Sequence, residues 1–141
     1  GTATSRLFQN VREKQSLCYY CAAGYAATMG MLSIDSGVEH QNAAKAEEAI
    51  LRELELLRTG PITAQELAET KKAIINQIAG VSDTMAGAEM WWMNETLLGT
   101  ALTPAQVIQQ TEAVTEEDVR SALGTFTLAV TYRITQGGAD A

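Results

Sequence analysis

The stretch VREKQSLCYYCAAGY, from Val11 to Tyr25, decides the fold, because the spacing of apolar residues changes inside it. Up to Lys14 the pattern is helical. Leu7, Phe8 and Val11 recur at helical spacing with Arg6 and Asn10 on the other side, and Thr4 or Ser5 can cap a helix over about Thr4 to Lys14. From Leu17 the period becomes two. Leu17, Tyr19, Cys21, Ala23 and Tyr25 share one face of an expected strand. Past Gly30, MLSIDSG gives a second strand, with Leu32 and Ile34 facing one way and Ser33 and Asp35 the other. It is expected to run antiparallel to the first and to end at Gly37.

Beyond Gly37 the chain reads as helices. Asn42 to Arg58 carries an apolar stripe of Ala43, Ala46, Ile50, Leu54 and Leu57, with Glu48 and Arg52 as an i,i+4 pair outside it, and Gly60-Pro61 ends it. Thr63 with Glu66 is a capping box opening a helix that holds Leu67, Ile74, Ile75 and Ile78. Gly80, Ser82, Asp83 and Gly87 place a break near residues 80 to 84, before a further helix through AEMWWMNETLL to Gly99. Thr103-Pro104 starts another helix, and Thr115 with Asp118 starts one more, closed by Gly124. FTLAVTYRI then alternates cleanly and predicts a closing half-buried strand from Phe126 to Ile134, followed by a frayed tail. The expected class is α+β, a small, mainly antiparallel sheet packed on one face by helices, in a single domain over 1–141. Three strands are few for this much helix. With Gly1 in place of Met and no signal peptide, that suggests a fragment of a longer protein or a processed chain.

Composition narrows the function. Apolar residues at 46% and charged residues at 19% fit a globular chain, and no apolar run reaches the roughly 18 residues of a membrane span. A net charge of −7 repels nucleic-acid phosphates. The single histidine, His40, excludes a zinc site built from two histidines on one helix and reads as a solvated loop residue. Ser33 or Ser36 with Asp35 and His40 lacks the surroundings of a nucleophile elbow, and neither a phosphate loop nor a dinucleotide fingerprint is present. Asp83, Glu89 and Glu95 line a cleft near the helix break or form a wet helix face. Trp91 and Trp92 point about 100° apart, so either one packs inside and the other covers a partner, or both fill a wide stripe. In CYYC, Cys18 and Cys21 are a redox pair, half a zinc site, or two ordinary strand residues in a reducing compartment. Alternation in a strand would send the two sulfurs to opposite faces, which favours the last. Finally, Arg12 at a helix end and Tyr19 in the returning strand offer two directed donors for a carbonyl, a clamp.

SRLFQNVREKQSLCYYCAAGY resembles the helix-to-strand segment in the C-terminal halves of the insulinase/pitrilysin-like metallopeptidases, a family that includes the mitochondrial processing peptidases. The shared pattern, roughly S-[RK]-L-[FY]-x-x-[LV]-R-E-K-x-x-L-x-Y, is met by Ser5, Arg6, Leu7, Phe8, Val11, Arg12, Glu13, Lys14, Leu17 and Tyr19. GPITAQELAETKKAI, LTPAQVIQQTEAVTEEDVRSAL and the closing stretch resemble the family further along. The resemblance implies a clamshell of related α+β repeats in which one half carries zinc on an inverted H-x-x-E-H helix. The other half holds no metal and supplies an Arg and a Tyr that reach the bound peptide and its scissile carbonyl. Arg12 and Tyr19 match those substrate-binding positions. It further implies no catalytic residue, metal ligand or cofactor in this chain, zinc only in a partner half, and a peptide or unfolded polypeptide as substrate. A zinc-bearing homologous half or subunit would be the other partner, with no nucleic acid or membrane, in a bacterial-type cytoplasmic setting. Two positions depart from the pattern: Ser16 stands where the family usually has Gly, and a second aromatic, Tyr20, follows Tyr19. The flavour of the motif is closest to zinc-less bacterial members that work beside an active partner. An inert structural or assembly subunit of the same fold is the alternative.

Overall fold

The computed structural model describes residues 6–134. The caps expected at Thr4 and Ser5, the Phe8 side chain and the tail lie outside that description. Leu7–Glu13 forms the first helix, wound as a π-helix, with the Lys14 amide donating to the Gln9 carbonyl at 2.9 Å. It is followed by strands β1 (Cys18–Ala26) and β2 (Met31–Val38), and then by helices α1 (Ala43–Thr59), α2 (Ala64–Ala79), α3 (Met85–Leu97), α4 (Pro104–Ala113) and α5 (Glu116–Gly124). The chain is α+β, as its patterning requires.

The first helix sits between β1 and α1. Val11 is wholly buried there and forms the core with Leu7, Cys21 and Ala49, with Leu17, Cys18, Ala23, Ile34 and Ile50 packed around them. Ala46 and Ala49 are the buried residues that let α1 approach closely, and the buried Glu53 on the same face accepts from Asn10 Nδ2 at 2.8 Å. The helix ends through Ser16, whose φ of 49° is left-handed, with its amide donating to the Arg12 carbonyl at 3.0 Å. That conformation crowds any Cβ and is glycine's usual place at a helix C-terminus.

β1 and β2 are antiparallel, joined through Gly30 at φ 59°. The register slips between Cys18 and Tyr20. Cys18 pairs with Val38, yet Tyr20 pairs with Gly37 and Cys21 with Ser36. This bulge takes Tyr19 off the expected shared face of Leu17, Tyr19, Cys21, Ala23 and Tyr25, while Leu17, Cys21 and Ala23 pack at the core. An extra residue on one strand breaks the alternation of side chains between faces. Cys21 and Ala23 remain at the core, Cys18 joins them, and Tyr19 turns outward. The Tyr20 ring lies across Gly37, where a Cβ would overlap it.

The helix starts match expectation closely. Thr63/Glu66, Thr103/Gln106 with Pro104, and Thr115/Asp118 are all complete capping boxes, and the break falls at the 3₁₀ turn Gly80–Asp83. The connection between α1 and α2 is stapled from two sides. Arg6 donates to Pro61 O and forms an ion pair with Glu66 at 2.9 Å, while Arg120 donates to Arg58 O at 2.8 Å and to Gly60 O.

The closing strand is a correction. Among the described residues the sheet has two strands, and Phe126–Ile134 pairs with neither. The segment is tied at its ends, by the Phe126 ring edge-on to Tyr25 at 6.0 Å and by Arg133 to Glu47. Along it Leu128, Val130, Tyr132 and Ile134 are 65 to 87% exposed. Alternation sets which side chains share a face, but a strand exists only where a neighbour supplies the ladder.

Two predictions follow from these contacts. Ser16→Gly is expected to stabilise the chain by about 1 kcal/mol, read as a higher urea midpoint with unchanged slope. The Glu66 carboxyl is held at about 2, below its usual 4.5, first by the Arg6 hydrogen bonds and then by the Thr63 amide. A carboxylate pKa depressed by folding stabilises above the unfolded value and loses that stabilisation as pH falls towards the folded one. Acid titration of stability in Glu66→Gln should therefore be flatter between about pH 4.5 and 2 than in the parent chain.

Candidate functional site

The two residues matched to the expected clamp, Arg12 and Tyr19, are both exposed, one at the helix end and one at the bulge. Arg12 lies exposed in the last turn of the first helix, on one side of the Ser16 turn. Tyr19 stands on the other side, raised by the bulge and 66% exposed. Its phenol donates to Glu39 Oε1 at 3.1 Å, and Glu39 Oε2 accepts in turn from Gln41 Nε2 at 2.9 Å. The hydrogen bond to Glu39, then the negative charge of Glu39 and a little burial, raise the Tyr19 pKa above its ordinary 10. Beneath the phenol, Ser16, Leu17, Cys18, Tyr19, Glu39 and Asn42 line a recess of about 100 Å³.

Glu39 escaped the sequence reading. It lies 20 residues from Tyr19 in a polar loop, and only the slipped register at the mouth of the hairpin puts the two side by side. The other candidates separate. His40 is exposed in the turn His40–Asn42. The buried Ser36 Oγ has no hydrogen-bond partner among the described residues, so no base activates it. Glu95 does not line a cleft. It is buried, accepting from Thr100 Oγ1 and the Leu102 amide at 2.7 Å each, and so it folds the loop from α3 to α4, while Asp83 and Glu89 lie exposed. Trp91 is the inward tryptophan, donating to Leu102 O at 2.9 Å, and Trp92 is 47% exposed.

Among the described residues no three His, Cys, Asp or Glu side chains come together as a metal would need, and one histidine cannot supply the H-x-x-E-H donors. No helix among the described residues is long and apolar enough to cross a membrane.

The profile described as "Peptidase M16 inactive domain" matches residues 1–74. The chain is 32% identical over 132 residues to the "Probable inactive metalloprotease YmfF" of Bacillus subtilis, covering 94% of this chain and 31% of that protein. It is 30% identical over 122 residues to the "Uncharacterized zinc protease YmxG" of the same organism, covering 84% of this chain and 30% of the relative. The crystal structure of a conserved protein from Enterococcus faecalis superposes with a TM-score of 0.79 at 30% identity, over 88% of this chain and 29% of the other. The chain therefore spans about a third of the length of the relatives it matches.

Removing the Glu39 charge tests the phenol's setting. In Glu39→Gln the Tyr19 pKa should fall back towards its ordinary value, seen by ultraviolet phenolate titration with Tyr19→Phe subtracted to isolate this residue from the other tyrosines.

Proposed function

The chain belongs to the family of peptidase M16 inactive domains, and from that premise we propose that it is a peptide-holding domain that positions a substrate for a zinc-bearing homologous half supplied elsewhere. The observation that carries the reading is Tyr19, lifted outward by the bulge at the mouth of the hairpin and hydrogen-bonded to Glu39. In use, the phenol exchanges its Glu39 acceptor for a substrate carbonyl oxygen, and the Arg12 guanidinium adds positive charge where negative charge develops on that oxygen. The outer edges of β1 and β2 carry no further strand among the described residues, so an extended peptide can add main-chain hydrogen bonds there, independent of its sequence. A cytoplasmic location agrees with two unlinked cysteines.

The second reading, an inert assembly subunit, draws on α3. Met85, Met90, Trp92, Met93 and Leu97 are exposed along it, the residue types enriched in the cores of interfaces. Titrating an extended peptide into the intact assembly by calorimetry separates the two. Arg12→Ala and Tyr19→Phe should each weaken binding by about five- to tenfold, the worth of one hydrogen bond. Equal affinity in all three proteins would leave the assembly reading standing.

A further inference from the structure

The two cysteines of CYYC find no use in peptide holding, yet the bulge gives them a geometry that plain alternation forbids. Three steps along β1, from Cys18 to Cys21, face two along β2, from Val38 to Ser36. Both thiols consequently point to the same side, and Cys18 packs against the core cluster that contains Cys21. Two strand steps put their Cα atoms about 6.8 Å apart, at the wide end of what a disulfide spans. Burial first, then the neighbouring Cys18, pushes the Cys21 thiol up to about 11. Their access to solvent differs. Cys21 is 6% exposed, whereas Cys18 is half-buried and lines the recess beneath Tyr19, so a small reagent reaches Cys18 first.

We propose that Cys18 and Cys21 form a redox modification site, closed to an internal disulfide by a low-molecular-weight disulfide that enters through the recess. The Cys18 thiolate attacks one sulfur of the small disulfide, forming a mixed disulfide and expelling a thiolate that takes up a proton. Cys21 gives up its proton and attacks Cys18 Sγ, which expels the second small thiolate. Two protein thiols are oxidised to one disulfide, and one small disulfide is reduced to two thiols. The new bond braces the bulge from which Tyr19 projects.

Peptide mapping of the full-length protein by mass spectrometry tests this, because trypsin releases both cysteines in the one peptide Gln15–Lys45. After treatment with oxidised glutathione and quenching with an alkylating agent, that peptide should lack both alkyl groups and weigh two hydrogens less than its reduced form, and dithiothreitol should reverse this. Cys21→Ser should instead keep a glutathione adduct on Cys18, with nothing to displace it, and Cys18→Ser should stay unmodified. A persistent adduct on Cys18 of the parent protein, or two thiols alkylated as fast with the oxidant as without it, would overturn the proposal. The readout is a mass, independent of whether the protein binds a peptide.

Discussion

One extra residue in one strand organises this molecule. Antiparallel pairing obliges facing residues to match one for one, and β1 breaks that rule between Cys18 and Tyr20. The local consequences all come from that slip. Tyr19 is turned out of the core and set beside Glu39, Cys18 is turned in beside Cys21, and Tyr20 is laid across a position that only glycine leaves free. Bulges re-aim side chains at the cost of a ladder position, and here the re-aimed side chain is the one the peptide-holding reading needs.

The bulge can be held because its surroundings are fixed. Val11 wedges the first helix between β1 and α1, and the small side chains of Ala46 and Ala49 let α1 close over it. The helix then has to release the chain into the strand within a few residues, and it does so through a left-handed Ser16. From the far side, Arg6 and Arg120 grip the carbonyls of the Gly60-Pro61 connection, so the first helix and α5 are both referred to the same turn. Guanidinium groups suit this work, since each offers several donors in a rigid fork. The core itself is small. Much apolar surface, on α3 and along Leu128 to Ile134, stays in water in this chain, which spans about a third of the length of its relatives.

What the sequence determined by itself is whatever depends on neighbours in sequence. Helix starts are satisfied by side chains three residues away, so Thr63 with Glu66 and Thr115 with Asp118 can be read without knowing the fold. The change from helical to alternating period at Leu17, the hairpin, the break at Gly80–Asp83 and the family motif around Arg12 and Tyr19 are legible for the same reason. Only the tertiary structure decided the rest, because it rests on residues far apart in the chain. The bulge exists in relation to β2, so alternation within β1 misplaced Tyr19 and sent Cys18 away from Cys21. Glu39 meets Tyr19 across the hairpin, and Glu95 is spent on the loop it folds. Phe126–Ile134 carries the pattern of a strand but lacks the pairing of one, since pattern is a property of the segment and pairing belongs to its neighbour.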